Sequence, residues 1–263
     1  DVRANTTVAM PIGAGISMQM DANAAHPYYH EQFKPYDVWA FVMGGVVRLG
    51  TGPQWPTLTG RSAGAGTNEL ENFNGLLVNK NSIAIRFGAN TGDVIAIDAR
   101  KATYLGSFLA DAGGTLRDSS NFRIVFNAYN QAFRPIFAGY ATYSWTYSTD
   151  AWRAWPGDSV NLFAGLSGVL VDASALAVVL GSSTESAAMA IAIDDLVPAA
   201  KSGNGFVSCV TGVLGNIVSY YSGCPGLGFR NMRMLERGHG SGTQTWFGDD
   251  AKITAGITGK VLM

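Results

Sequence analysis

FRIVFNAYNQAFRPIFAGYATYSWTYSTDAWRAWPGD, residues 122–158, is the stretch on which the fold turns. Ile124, Phe126 and Ala128 alternate with Arg123, Val125 and Asn127. Further on, Ala141, Tyr143, Trp145 and Tyr147 alternate with Thr142, Ser144 and Thr146. A two-residue period sends successive side chains to opposite faces, so the stretch predicts three strands. It also carries Trp145, Trp152 and Trp155, three of the six tryptophans, and side chains of that size are either buried or used.

The composition agrees with a β-rich reading. Thirty-three glycines and nine prolines are spread along 263 residues, which suits many tight turns between short strands and disfavours long helices. With 47% apolar residues the chain can bury the core of one large or two modest domains. Only 14% is charged, against roughly a quarter in an average domain. A surface this neutral and aromatic fits a protein covered in part by copies of itself, and also fits a stable secreted β protein. The net charge of −1 with no basic patch argues against nucleic acid as a partner. No largely apolar run, 173–180 included, approaches the roughly 20 residues of a membrane-spanning helix, so no membrane insertion is expected.

Outward from the central stretch, the chain reads as a series of short strands. Candidates before it lie at 75–79, 82–87, 93–99 and 102–109; candidates after it lie at 161–171, 175–180, 187–193, 206–211, 217–221, 230–237, 243–247 and 257–262. Spacings of about eight to twelve residues with Gly, Asn and Asp between predict an antiparallel β-sandwich or jelly roll. The segment 173–179 is ambiguous, since DASALAVVL (172–180), which contains it, also suits a turn or two of helix. No fixed-period repeat appears, which disfavours a propeller or solenoid. Residues 50–66, GTGPQWPTLTGRSAGAG, have the composition of a linker. They would separate an N-terminal arm or small β attachment unit, residues 1–60, from a sandwich at 67–263 that is itself open to subdivision near residue 200. Within the first part, 6–20 shows apolar alternation at Ile16, Met18 and Met20, and 38–49 reads as a strand pair broken at Gly44 and Gly45.

Residue types capable of chemistry are sparse. Asp21, His26, His30 and Glu31 can bind a metal or form a polar turn or subunit contact; Pro27 makes the helix that would align the two histidines doubtful, so no metal is assigned. Cys209 and Cys224 flank a possible hairpin and are either bridged or unpaired small hydrophobes. There is no GxSxG elbow, and His239 lies in the turn-like GHGSG. Asp194 with Asp195, Asp249 with Asp250, and Glu69 with Glu71 are acid pairs of the kind that serves glycoside hydrolysis across a cleft, but adjacent acids more often sit in turns. No catalytic residue and no cofactor are expected. The aromatics offer more. Tyr147, Arg153 and Trp155, with His239, are the candidate receptor contacts, because exposed rings beside planar polar groups suit sugar recognition; the competing reading packs Trp145 and Trp152 between sheets.

Several segments in order carry a resemblance: NGLLVNKNSI (74–83), ATYLGSFLAD (102–111), FRIVFNAYNQAFRP (122–135), SWTYSTDAWR (144–153), AIAID (190–194), LGFRNMRMLERGHGSGTQTWFGDD (227–250) and AGITGKV (255–261). Together they resemble a group of tailed-bacteriophage structural proteins, virion surface or tail-fibre-like components, over about residues 70–263. The resemblance implies a β-sandwich virion protein, commonly a homotrimer, exposed on the particle after assembly in the host cytoplasm and used in host attachment, with a host surface glycan as partner. It implies no catalytic residues. The expectation is a compact, non-enzymatic fibre- or knob-like component whose N-terminal region contacts other virion proteins of the capsid or tail. Capsid decoration as a head-fibre protein, and a glycan-cleaving tail protein, are the alternatives.

Overall fold

The computed structural model describes residues 16–111, 115–250 and 253–263, and among these the chain is all-β, with no helix. It divides into two compact units: Asp1–Leu116 with Val125–Tyr129, and Arg117–Ile124 with Asn130–Met263.

The first unit is built on β1 (Pro35–Met43), β2 (Val46–Thr51), β3 (Leu70–Phe73), β4 (Leu76–Asn79), β5 (Ile83–Arg86), β6 (Val94–Ile97) and β7 (Ala102–Leu109). Their order in one sheet is β3-β4-β7-β1-β2-β5-β6. The β1–β2 hairpin turns on Gly44 and Gly45, both in the left-handed region (φ 59° and 78°), a conformation that two-residue hairpins require and glycine adopts freely. Trp39, Phe41, Ile83, Ile85 and Tyr104 fill the core, and Met18 and Met20 pack against Tyr36, Phe108 and Ala110.

The expected arm at 1–60 and linker at 50–66 are corrected by this sheet. β1 lies in its middle, between β2 and β7, so residues 35–51 belong to the same sheet as 70–109. Trp55 is buried within the supposed linker. Arg61 donates two 2.7 Å bonds to the buried carboxylate of Asp37 and stacks 4.2 Å from the Trp55 ring. Glycine and proline gave the segment a linker's composition, but one tryptophan and one arginine fold it onto the sheet. Of the alternation expected over 6–20, residues 6–15 lie outside the described residues.

The strand expected across 122–128 is split. β8 (Phe122–Arg123) pairs in the second unit, parallel to the strand at Val160–Ala164, whereas β9 (Val125–Asn127) pairs with β7 in the first. The second unit continues with β10 (Phe133–Gly139), β11 (Ser144–Thr146), β12 (Arg153–Ala154), β13 (Val160–Ala164), β14 (Val171–Gly181), β15 (Glu185–Ile193), β16 (Ser202–Gly203), β17 (Gly205–Cys209), β18 (Leu214–Gly223), β19 (Gly228–Arg237), β20 (Gln244–Phe247), β21 (Asp249–Asp250), β22 (Ile253–Thr254) and β23 (Gly256–Leu262). Two principal sheets result, β10-β23-β14-β18-β16 with β20 and β11 attached, and β17-β15-β19-β13-β8 with β12 on β19. The unit is sandwich-like. It is not divided near residue 200, because β14 pairs with β18 and β15 with β19 across that point.

β14 resolves the ambiguity at 173–179 in favour of strand. Val171, Ala173, Ala175, Ala177 and Val179 all point inward, while pairing on both sides, with β18 and β23, satisfies the backbone. β15 presents Ala187, Met189 and Ile191 to the interior, opposite Met232 and Met234 of β19. Gly259 allows a close crossing: a Cβ there would lie 2.2 Å from the Asp172 carbonyl oxygen.

Candidate functional site

The sequence-selected residues fall at one end of the second unit, where the loop 147–152 lies against the turn 238–243. Gly238 and Gly240 donate backbone hydrogen bonds to Thr149 and Ser148 (3.0 and 2.7 Å), which fixes the two loops together. Tyr147 and Arg153 meet, the guanidinium 3.8 Å from the ring centroid. Arg153 also donates to Glu236, 2.7 Å from Nε to Oε1, and Trp145 Nε1 donates to the other carboxylate oxygen at 2.6 Å. Glu236 is fully buried. Burial pushes its carboxyl up, against the two hydrogen bonds that favour the charge.

Trp155 is corrected as a receptor contact. It is 3% exposed, with its ring packed on Tyr140 and Trp145 at 5.7 and 6.0 Å and its indole N–H on the Asp158 carbonyl at 3.2 Å. The neighbouring Pro156 and Gly157 suggested a loop, but the loop folds under the ring: a Cβ on Gly157 would sit 2.5 Å from it. Trp145 and Trp152 are half-buried; Trp145 donates to the buried Glu236, whereas Trp152 covers Ala190, Ala192 and Leu235 from outside the sheet and does not pack between the sheets.

His239 is exposed and accompanied by residues the sequence reading missed. It bonds Ser186 Oγ through Nδ1 at 3.0 Å. Beside it Arg237 donates to Asp150 at 2.6 Å, and this bond holds the exposed Asp150 carboxyl below its usual range. Sheet register explains the grouping. Ala188 of β15 stands directly between Phe206 of β17 and Arg237 of β19. Two strand spacings put about 10 Å between the outer backbones. Because alanine is small, a slot opens between a ring and an ion pair. It encloses about 270 Å³, with Ala188 at its floor, Phe206, Arg237 and Asp150 at its sides, and Ser186 and His239 at one end. The Phe206 ring is 70% exposed. The pairing of 187–193 with 206–211 would have exposed this row, but strand register is not written in single-strand patterns.

A second surface lies on the outer face of the β14 sheet. Phe133 and Phe137 of β10, Leu176 of β14, and Leu214, Val218 and Tyr220 of β18 are each between 39 and 63% exposed. Register puts Phe137, Thr258, Ser174 and Tyr220 in one row, and Leu176 beside Val218 in the next. Lys260 caps Phe133 at 4.5 Å, and Ser222 donates to Asp172 at 2.6 Å. These polar groups border a shallow depression of about 430 Å³. In β18, LGNIVSYYSG, the outward Leu, Val and Tyr alternate with buried Ile217, Ser219 and Tyr221. Both faces are apolar, so the sequence alone did not tell inside from outside.

The remaining candidates are structural. His30 receives the Asp21 N–H on Nδ1 at 2.9 Å and meets Thr51 Oγ1 through Nε2 at 2.9 Å, so both ring nitrogens are used. Burial opposes ionisation of Asp21, but the Asn23 N–H, His26 and Arg86 outweigh it and hold the carboxyl below its usual range. No cluster suited to a metal occurs among the described residues. Cys209 and Cys224 are unbridged, because a tight turn at 210–213 leaves Cys209 beside the start of β18 and Cys224 beyond its far end, about 30 Å along the strand. Two buried acids, Glu185 and Glu236, point into the sandwich. Glu236 is paired with Met189, four residues from Glu185, so their backbones lie about 13 Å apart, and neither meets solvent as hydrolysis across a cleft requires. No known protein family matches the chain, and no curated protein sequence matches it.

Proposed function

We propose that this chain is a structural component of a tailed-bacteriophage virion surface, non-enzymatic, assembled as a homotrimer and serving host attachment. The observation that carries the reading is the outer face of the β14 sheet. Its six large apolar side chains together leave on the order of 600 Å² in contact with solvent, at roughly 200 Å² for a fully exposed large side chain. Spread over a face that Thr258, Ser174 and Asn216 interrupt, this total is comparable to the about 300–600 Å² of the largest patch on a typical monomer, and approaches the roughly 800 Å² per partner of a stable interface. Polar groups are mixed into it: Thr258 and Ser174 lie between Phe137 and Tyr220, and Asp172, Ser222 and Lys260 occupy the next row. The order of segments over residues 70–263 supports the virion setting, and the low charge supports a surface covered by copies.

The test is mass in solution. Light scattering behind size exclusion is expected to give three copies for the native chain and one for Val218→Arg, which places a charge on an exposed residue at the centre of the face without touching the core. A native chain that stays monomeric at high micromolar concentration, or an oligomer indifferent to Val218→Arg, refutes assembly through this face.

A further inference from the structure

The slot beside Phe206 has no part in the self-assembly just described, and its chemistry is specific. We infer that it is a binding site for a neutral pyranose, the terminal or internal sugar of a surface polysaccharide. Three features select that ligand class. One wall is an aromatic ring, Phe206, 70% exposed and held on a strand rather than a mobile loop. A sugar ring presents an apolar face of C–H groups that stacks on such a surface. The opposite wall is the Arg237–Asp150 pair, bonded at 2.6 Å and therefore oriented, with guanidinium donors and carboxylate acceptors side by side. Vicinal hydroxyls, each donor and acceptor, match that pairing, and charge-assisted hydrogen bonds are the strong ones.

The third feature is the end of the slot. Ser186 Oγ and the His239 ring, 3.0 Å apart, offer further polar partners next to an exposed glycine-rich turn. The floor is the methyl group of Ala188, 4% exposed, whose small size lets the ligand come close to the sheet. A width of about 10 Å between the flanking backbones suits one sugar ring standing between the walls. A charged ligand fits less well, because Arg237 and Asp150 already neutralise each other.

This site deepens the attachment reading and rests on it for the source of the sugar, a host surface polysaccharide. The test uses the full chain and methyl glycosides of glucose, galactose, mannose and N-acetylglucosamine at about 10 mM, enough to fill a millimolar site. Saturation-transfer NMR is expected to show contact with at least one glycoside. The signal should fall at least tenfold in Phe206→Ala and in Asp150→Asn, persist in Phe206→Trp, and be untouched by Tyr220→Ala on the other surface. Phe206 and Asp150 are exposed, so neither change threatens the fold, and an unaltered circular dichroism spectrum confirms it. No transfer to any glycoside, or transfer that survives Phe206→Ala, overturns the site. Sugar binding by a chain that is absent from particle surfaces would instead leave the site standing and overturn the virion reading.

Discussion

Trp155→Ala measures the difference between a sugar platform and a core. The ring is 3% exposed, so truncation removes about 200 Å² of buried aromatic surface, worth about 5 kcal/mol at 25 cal/mol per Å². Compaction of the unfolded chain lowers that to about 3–4 kcal/mol. The edge-to-face contacts with Trp145 and Tyr140 add about 1 kcal/mol. The indole hydrogen bond adds little, because the freed Asp158 carbonyl belongs to an exposed residue that water can reach. The expected loss is about 4 kcal/mol, within the range of aromatic truncations in cores. For a unit of this size that lowers the melting temperature by about 12 °C. Urea unfolding followed by near-ultraviolet circular dichroism gives the number directly. A loss below about 1 kcal/mol, with glycoside binding abolished, would refute the assignment of Trp155 to the core and restore it as a contact residue.

Two further outcomes follow from buried charge. Arg61→Ala removes the cation from a buried Asp37 carboxylate that also accepts from Ser107, and should cost the first unit about 3–5 kcal/mol in urea unfolding; a cost under 1 kcal/mol would mean that 50–66 behaves as the linker its composition suggests. Glu236 has a folded-state pKa raised by burial, so its contribution favours the fold below pH 4.5 and is lost as pH rises from there through the folded value. The stability of Glu236→Gln relative to the native chain should therefore increase with pH over that window, and a flat difference would show that the Trp145 and Arg153 hydrogen bonds compensate burial in full.

The all-β class was legible because it rests on local signals: two-residue alternation, scattered glycines and the Gly44–Gly45 turn. Domain boundaries were not, because they depend on which strands pair at long range. β1 joins β7 some 60 residues on, and composition carries no trace of that pairing. The same limit governs the site. His239, Tyr147 and Arg153 were chosen for their chemistry and lie at one end of the second unit, yet the slot is made by Ala188, Phe206 and Arg237 meeting across three strands. Trp155 was misread since a ring before Pro-Gly looks solvent-facing until the turn is seen folding beneath it. The exposed face of β18 was hidden for the opposite reason: apolar residues on both sides of a strand erase the contrast that marks its buried face.

The most direct measurement of the central claim is the position and surroundings of this chain on an intact particle by cryo-electron microscopy. Threefold groups are expected on the outer surface, with Phe137, Leu176, Val218 and Tyr220 covered by neighbouring copies and the Phe206 slot open to solvent. A chain absent from the particle, or one whose β14-sheet face is bare while the slot is buried against another protein, would contradict it.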